Sequence, residues 1–277
     1  NFVFKFFKLI RIFRNTKPDV VHTWLYMSDL IGGLCAKLAS VPRVYWGIHN
    51  TYLDRDKVPF LTRFVVNLNG LLSHIIPNKV ISCSHLAIDI HCKKGYDKSK
   101  FVFIPNGVDI NDSNLFKDLN NVQLISELGI KEGDFVIGYI ARYDVLKNHK
   151  GFLQSCQKIF NHDLIRNFKV LLVGEGLTNE NEEILDLLKE YGLQDNVILL
   201  GYRSDVSRII SILDISVLFS WGEAFPNVII ESMIYSKPFL ASNVGDCKFI
   251  IGDGGSIVES GDTEELAKEL SNYINMD

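Results

Sequence analysis

The sequence lacks long apolar runs, and it lacks an excess of positive charge. No stretch approaches the ~20 uninterrupted apolar residues of a membrane-spanning helix, so we expect no such span. The formal net charge is −4, so no overall basic field attracts nucleic acid, and we expect no nucleic-acid partner. Hydrophobic residues make up 47% of the 277 residues, which suffices for a substantial core in one large or two ordinary domains.

Cysteine is also scarce: the chain has five, scattered and odd in number. This pattern indicates reduced thiols in a reducing compartment rather than a disulfide framework, and it favours the cytoplasm. Cys83, His85, His91 and Cys92 lie close together in the sequence, but their spacing does not match the usual zinc pairs. We therefore expect no metal ion and no other cofactor.

The first residues combine phenylalanine with regularly spaced basic residues. Lys5, Lys8, Arg11 and Arg14 recur every three residues and predict a helix with a basic stripe beside a Phe-rich surface. The stretch has no small-residue cleavage site, so it does not resemble a signal peptide. Two interpretations stay open: a helix packed on a sheet, or a helix whose cationic residues contact anionic lipid at the inner face of the cytoplasmic membrane.

Short β-branched apolar runs alternate with helical segments along the chain. Continuous apolar strands spaced by helices are typical of a parallel sheet buried on both faces, so the predicted fold class is α/β. The predicted strands are Asp19–His22, Arg43–Ile48, Lys79–Ser82, Phe101–Ile104, Phe135–Ala141, Lys169–Gly174, Asn196–Gly201, Asp214–Ser220 and Pro238–Ala241. The predicted helices include Leu30–Ala39, Gly151–Phe160, Glu180–Tyr191, Asp205–Leu213 and Val228–Tyr235.

The alternation breaks once, between Pro105 and Asp134, where the sequence is polar and rich in turn residues. We place a domain boundary near residue 110, which divides the chain into domains 1–110 and 111–277. The second segment has five predicted strands. The first has four, and we expect it to lack the opening strand-loop-helix unit of a doubly wound domain.

The turn from the strand Asp214–Ser220 into the next helix is a candidate anion site. Proline suits the first turn of a helix, and Pro226 stands there. The backbone N–H groups around Phe225 and Asn227 then point to the carboxyl edge of the sheet, where open α/β sheets bind ligands.

Two glutamates flank that turn. Glu223 precedes the helix and Glu231 lies about one and a half turns inside it. Carboxylates accept hydrogen bonds from vicinal hydroxyls, so the pair suits a sugar and a ribose. The alternative is a solvated Glu223 and a surface Glu231. The apolar run Val228–Ile230 argues against that alternative, because an unpaired Glu231 on a buried helix is costly.

Two cations follow another strand of the same half. Arg142 and Lys147 lie in the loop after Phe135–Ala141, and cations at the carboxyl end of a strand suit a diphosphate. The alternative is a basic surface loop, which we prefer for Lys150. Gly174 and Gly176 also follow a strand, but Asn179 stands where a dinucleotide fingerprint has its third glycine, which argues against a dehydrogenase.

These segments resemble the family-4 retaining glycosyltransferases of the GT-B fold. The resemblance covers most of the chain, with the motifs in the family's order. They are the E-x7-E pair Glu223 and Glu231, Arg142 and Lys147 after GYIAR, PNGVD at 105–109, KVLLVGEG at 169–176 and NVILLGYR at 196–203. The resemblance implies two Rossmann-like doubly wound domains facing a cleft, with the acceptor on the N-terminal domain and the donor on the C-terminal one.

The resemblance also implies roles for individual residues. Arg142 and Lys147 would bind the donor diphosphate, and Glu231 the ribose. Tyr202 and Arg203 would lie against the base. Glu223 would contact the transferred sugar, with backbone N–H groups near Phe225, Pro226 and Asn227 completing the pocket. His49 matches the catalytic-site histidine that faces the sugar.

Two departures from the family pattern stand out. Ala224 occupies a position where the family often has glycine, which would narrow the sugar pocket. The N-terminal glycine-rich loop is absent. Asp54, Arg55 and Asp56 spell the D-x-D of metal-dependent sugar transferases of another fold, but without the strand-turn context of a metal site. His22 and Trp24 would line the acceptor site or belong to the core.

We therefore expect a transferase that moves a sugar from a nucleoside diphosphate sugar, UDP favoured, to a hydroxyl of a lipid-linked or polysaccharide glycan. By family analogy the anomeric configuration is retained. Two alternatives stay open. One is a nucleotide-binding module that does not transfer, because of the missing N-terminal unit. The other is a sugar-nucleotide epimerase of the same fold.

Overall fold

The computed structural model describes residues 2–51, 53, 58–108, 121–160 and 167–276. Those residues form two compact units: the first contains residues up to 106 together with 223–225, and the second contains 107–222 and 226 onward. The predicted boundary near residue 110 lies outside the described residues, as do Asp109 of the PNGVD segment and the D-x-D residues Asp54, Arg55 and Asp56.

The first unit is a four-stranded parallel sheet in the order β1-β2-β3-β4. Two of its predicted strands, Arg43–Ile48 and Lys79–Ser82, have the predicted bounds, and most of their apolar residues are buried. The strands are β1 (Val20–Trp24), β2 (Arg43–Ile48), β3 (Lys79–Ser82) and β4 (Phe101–Phe103). The helices are α1 (Phe2–Thr16), α2 (Tyr26–Leu38), α3 (Phe60–Leu72) and α4 (His85–Lys93).

The predicted N-terminal helix is present as α1. Its residue Ile10 is buried and Phe13 packs against the core of the first unit, whereas Phe4 and Phe7 are exposed. The four basic residues of the predicted stripe are exposed as well. The helix therefore packs through one side only, and contact of its basic residues with anionic lipid stays a prediction.

The second unit is a six-stranded parallel sheet in the order β10-β9-β8-β5-β6-β7. The strands are β5 (Phe135–Ile140), β6 (Phe168–Val173), β7 (Val197–Gly201), β8 (Ile215–Leu218), β9 (Phe239–Ser242) and β10 (Gly255–Val258). The helices are α5 (Asn121–Glu127), α6 (His149–Phe160), α7 (Glu182–Tyr191), α8 (Val206–Ser211), α9 (Asn227–Ile234), α10 (Cys247–Ile251) and α11 (Thr263–Ile274).

Successive residues of the central strands of this sheet enter different apolar cores. Ile137 and Tyr139 of β5 belong to one core, and Val136 belongs to the other. On β6, Leu172 and Leu171 divide in the same way. Side chains alternate across a strand, so burial on both faces requires every position to be apolar. This explains the continuous apolar runs and confirms the predicted α/β class.

Three details of the second unit differ from prediction. A sixth strand, β10, was missed because its β-branched run is only Ile257 and Val258, and glycine and serine precede it. Gly255 is required there, since a Cβ would collide with the backbone of Phe239 on β9. The helix α5 lies within the segment predicted as turn-rich, and its residue Leu124 is buried in an apolar core. Pro226 is the N-cap residue of α9 and precedes its first helical residue, whereas the sequence predicts it in the first helical turn.

Candidate functional site

The strand order of the second unit reverses between β5 and β8. From β5 the chain proceeds to β6 and β7 on one side, and then returns to β8, which pairs with β5 on its other side. Ligands of open α/β sheets bind at the carboxyl ends of the strands at such a reversal. The loops after β5 and β8 flank this position, and they contain the predicted cations and the helix with Glu231.

The loop after β5 is ordered by a carboxylate that the sequence analysis missed. Asp144 Oδ1 accepts a hydrogen bond of 2.8 Å from the Leu146 N–H and caps the short 3₁₀ helix Val145–Lys147. Asp144 Oδ2 lies 3.4 Å from Nη2 of Arg142, whose side chain is 67% exposed. One aspartate thus holds both the turn that carries Lys147 and the guanidinium of Arg142.

The loops after β5 and β8 are joined by direct hydrogen bonds. The Trp221 N–H donates to the Leu146 carbonyl at 2.8 Å. The hydroxyl of Tyr139, which is fully buried on β5, donates to the Lys147 carbonyl and accepts from the Phe219 N–H at 3.0 Å. These contacts fix the turn that carries Lys147 relative to the end of β8.

The loop after β6 supports the same turn from behind. Gly174 has φ +152°, and a Cβ on it would collide with the Ala141 carbonyl and lie 2.8 Å from the Arg142 nitrogen. The Tyr143 N–H donates to the Glu175 carbonyl at 2.7 Å. Glycine at position 174 therefore permits the backbone approach that positions Arg142. In the sequence, Gly174 is recognisable only as part of a glycine-rich turn.

The helix α9 begins at the carboxyl end of β8. Pro226 precedes it and Asn227 is its first residue, so its first-turn N–H groups and positive dipole end lie at the reversal. Glu231 is half-buried in this helix, and burial raises the pKa of its carboxyl group. A buried carboxylate needs hydrogen-bond donors, which the hydroxyls of a ligand can supply.

Tyr202 and Arg203 follow β7, the strand beyond β6. The Tyr202 side chain is 80% exposed. The Arg203 guanidinium donates to both carboxylate oxygens of Asp205, each at 2.7 Å. This loop therefore presents an exposed aromatic ring beside a braced arginine.

Glu223, Ala224 and Phe225 belong to the first compact unit rather than the second. Phe225 is buried, and Glu223 and Ala224 are half-buried. Pro226, Asn227 and Glu231 therefore lie in the same compact unit as Arg142 and Lys147. The pairing of Glu223 with Glu231 on one ligand stays a prediction.

His49 follows β2 in the first unit and is surrounded by aromatic rings and a thiol. Its ring stacks on Trp24 with centroids 4.7 Å apart, and Trp24 in turn lies 4.3 Å from the ring of His22. Its Nδ1 atom is 3.3 Å from Sγ of Cys83. Burial lowers the pKa of His49, so its ring is neutral at pH 7. No local sequence pattern connects Cys83 with this histidine, because the two residues follow different strands.

A buried carboxyl group contacts β1 next to Trp24, and the sequence did not predict it. Asp29 is fully buried and accepts a hydrogen bond of 2.6 Å from the Thr23 hydroxyl. Burial raises its pKa to about 8, against the opposing effect of that hydrogen bond. Asp29 is therefore mostly protonated at neutral pH.

The described part of the chain contains neither a metal-binding cluster nor a membrane-spanning helix. There, no three His, Cys, Asp or Glu side chains lie where they could hold a metal ion together. His91, one of the soft ligands noted above, instead contacts the Tyr26 hydroxyl at 2.9 Å. Across the same residues, no helix has the length and apolar character needed to span a membrane.

Comparison with known families agrees with this architecture. The model of glycosyl transferases group 1 matches residues 134–276, which is more than half of the chain. The model of glycosyltransferase family 4 matches residues 1–112.

Individual relatives match almost the whole chain. A UDP-Gal:alpha-D-GlcNAc-diphosphoundecaprenol alpha-1,3-galactosyltransferase of Escherichia coli is 26% identical over 272 residues, or 95% of this chain and 68% of that protein. The capsular polysaccharide biosynthesis glycosyltransferase CapM of Staphylococcus aureus is 26% identical over 276 residues, or 97% of this chain and 70% of that protein.

A solved structure of HepE from Anabaena, in complex with UDP and glucose, has a TM-score of 0.83 at 20% identity. The match covers 98% of this chain and 71% of HepE, and at this identity it shows the fold. This chain thus spans between 68% and 71% of the length of these three proteins. With two parallel α/β sheets, both family models and these relatives in agreement, the chain belongs to the family-4 glycosyltransferases of the GT-B fold.

Proposed function

We propose that this protein transfers a sugar from a nucleoside diphosphate sugar, with UDP as the favoured nucleotide, to a hydroxyl of a lipid-linked or polysaccharide glycan. The observation that carries the proposal is the strand reversal at β5 and β8 in the second unit. Two cations, a helix N-terminus and a half-buried glutamate lie on the loops and helix that flank it. This is the chemistry that a ribose diphosphate requires.

In this proposal Arg142 and Lys147 bind the diphosphate together with the first-turn N–H groups of α9. The guanidinium and ammonium groups offset the charge that develops on the departing nucleoside diphosphate. Glu231 accepts hydrogen bonds from the ribose hydroxyls, which stabilise a carboxylate that burial alone disfavours. Tyr202 and Arg203 lie against the base.

The transferred sugar is assigned to three other residues. Glu223 accepts hydrogen bonds from its hydroxyls, Ala224 limits the size of its pocket, and His49 donates to one of its oxygens. With retention, the bond from the anomeric carbon to the diphosphate breaks as the bond to the acceptor oxygen forms on the same face. The acceptor proton passes to the departing diphosphate, so no carboxylate base is needed.

The relatives support the choice of substrates. The Escherichia coli relative is named for a UDP-galactose donor and a diphosphoundecaprenol acceptor, and the Staphylococcus aureus relative for capsular polysaccharide. HepE crystals hold UDP with glucose, or UDP-glucose. These names favour UDP over other nucleotides and a lipid-linked glycan over a free sugar.

We further propose that the protein acts in the cytoplasm, in peripheral contact with the membrane. The exposed Phe4 and Phe7 lie on α1 with four exposed basic residues, a combination that suits anionic lipid. Sedimentation with anionic vesicles tests this: the variant in which both phenylalanines become serine should bind less. Equal binding of the variant and the unaltered protein would contradict the contact.

The donor site is tested by thermal unfolding with UDP, GDP, ADP and their sugar adducts. A ligand specific for the folded state stabilises it by about 2.7 kcal/mol at a hundredfold excess over Kd. UDP and UDP-sugars should raise the melting temperature of the unaltered protein and of the control Glu190→Ala, which removes an exposed glutamate of α7. The increase should be small or absent in Glu231→Ala.

Product analysis then distinguishes the two alternatives. Nucleotide binding without any product under a range of acceptors would favour a binding module. An isomeric sugar nucleotide formed without acceptor would favour an epimerase. No thermal shift with any nucleotide would contradict the donor site itself.

A further inference from the structure

Four side chains of the first unit meet at the carboxyl ends of its strands. His22 and Trp24 belong to β1, His49 follows β2, and Cys83 follows β3. Trp24 pairs with Gly47 on β2, and a Cβ on that glycine would lie 2.8 Å from the indole ring. The absence of a side chain at Gly47 therefore lets the indole lie across the sheet and stack on His49.

The two nitrogens of the His49 ring have different surroundings. Nδ1 lies 3.3 Å from Sγ of Cys83. Nε2 is buried and has no hydrogen-bond partner among the residues that the structure describes. Leaving a buried nitrogen unpaired costs free energy, and a ligand atom that bonds to Nε2 would recover that cost.

The chemistry of the pair indicates where the ring proton lies. A neutral imidazole has one N–H and one nitrogen lone pair. The lone pair is a good acceptor, whereas a thiol sulfur is a weak acceptor that still has an S–H to donate. The favourable arrangement is therefore donation from the Cys83 S–H to Nδ1, which leaves the ring proton on Nε2.

We propose that Cys83 is a positioning residue, which donates its S–H to Nδ1 of His49 and keeps the ring in the Nε2–H form. The stack with Trp24 fixes the plane of the ring, and the thiol fixes the proton. Nε2–H is then a preset donor to an oxygen of the transferred sugar. This role rests on the proposed function of His49, but the position of the proton does not.

Nitrogen NMR on protein labelled at histidine with ¹⁵N tests the position of the proton without any substrate. The chain has seven histidines, and comparison with His49→Gln assigns the signals of His49. The unaltered protein at pH 7.5 should show an acceptor Nδ1 and a protonated Nε2. In Cys83→Ala the Nδ1 signal should move and the Nδ1–H form should become populated. Cys83→Ser, which keeps a donor, should resemble the unaltered protein.

The matched control is Cys35→Ala, which removes another fully buried thiol, on α2. Its His49 signals should not change. A proton on Nδ1 in the unaltered protein, or identical His49 signals in the unaltered protein and Cys83→Ala, would overturn the proposal.

Turnover tests the positioning role. Loss of one hydrogen bond to the ring should lower kcat of Cys83→Ala about fivefold to tenfold, with little change in the donor KM and recovery in Cys83→Ser. An unchanged kcat in Cys83→Ala, despite a changed proton position, would overturn the positioning role. If the unaltered protein transfers no sugar, the proposed function fails, while the NMR result still decides where the proton lies.

Discussion

The backbone N–H of Phe219 donates a hydrogen bond of 3.0 Å to the hydroxyl of Tyr139. The same hydroxyl donates a hydrogen bond to the Lys147 carbonyl. One phenol thus connects the end of β8 with the turn that carries Lys147. The sequence motifs do not predict this role, because Tyr139 lies within an apolar strand that is typical of a protein core.

Removing that hydroxyl is the first prediction. Tyr139→Phe removes both hydrogen bonds of this hydroxyl, and it should lower the free energy of unfolding by about 1–3 kcal/mol. The turn with Lys147 should also loosen, so UDP should bind more weakly. Urea denaturation and titration calorimetry measure the two effects.

Tyr273→Phe is the control for Tyr139→Phe. The Tyr273 hydroxyl makes a half-buried contact with the Ser256 hydroxyl, 3.0 Å away in the same unit. Its removal should cost about 0.5–1 kcal/mol and leave UDP affinity unchanged. If Tyr139→Phe behaved in the same way, the connection would be of no consequence.

The second prediction concerns the backbone contact behind Arg142. Gly174→Ala should lower stability by about 2 kcal/mol or more and weaken UDP binding, because a Cβ collides with Ala141 and displaces the loop. Gly192→Ala is the control. Its φ is +67° and a Cβ there meets nothing within 4 Å, so only backbone strain of about 1–2 kcal/mol is expected, with normal UDP affinity. Equal affinities for UDP in the two variants would contradict the positioning of Arg142 by Gly174.

The third prediction separates a site cation from a surface cation. Arg142→Ala should weaken UDP binding at least about tenfold, because a hydrogen bond between charged groups contributes about 1.5–3 kcal/mol. Lys150→Ala, at an exposed position on α6, should leave the affinity within about twofold, because an exposed side chain outside the site contributes little. Titration calorimetry at one fixed salt concentration measures both. Equal losses would show that general positive charge, rather than a site, attracts the nucleotide.

The fourth prediction is a pH dependence of stability that originates at Asp29. Its pKa is about 8 in the folded protein, above the ordinary 3.8. The folded state therefore keeps a proton that the unfolded chain releases. The resulting stabilisation is complete below pH 4 and is lost as the pH rises to about 8. Asp29→Asn should remove a slope of about 1.4 kcal/mol per pH unit from the free energy of unfolding in this range.

Urea denaturation between pH 6.5 and 8 is the appropriate measurement for Asp29. Burial lowers the folded pKa of His91 to about 4, so His91 destabilises the fold only as the pH falls below about 6.5. Its effect therefore lies outside the chosen window. Asp186→Asn, at an exposed position on α7, is the control. Its free energy of unfolding should change with pH as that of the unaltered protein does. If the free energy of unfolding of Asp29→Asn also changed with pH as that of the unaltered protein does, the Asp29 carboxyl group would not be protonated near neutral pH.

Much of the second unit was predictable from local patterns. The loops of Arg142 and Lys147, and the helix of Glu231, were predicted because a buried parallel strand ends abruptly where apolar residues give way to charge. The strand β10 was missed, since Gly255 is selected by its contact with β9 and not by strand propensity. The α/β class and the family are confirmed, whereas the roles of single residues in binding remain predictions.

The sequence by itself determined the periodic burial that makes two parallel sheets, and the order of the motifs along them. Periodicity predicts the burial because the spacing of apolar residues within each strand or helix identifies its buried faces. Only the tertiary structure decided that Tyr139 meets Phe219, that Gly174 supports Arg142, and that Cys83 meets His49. Each pair joins residues from different strands or the loops after them. Such contacts depend on strand order and register, which no local pattern encodes.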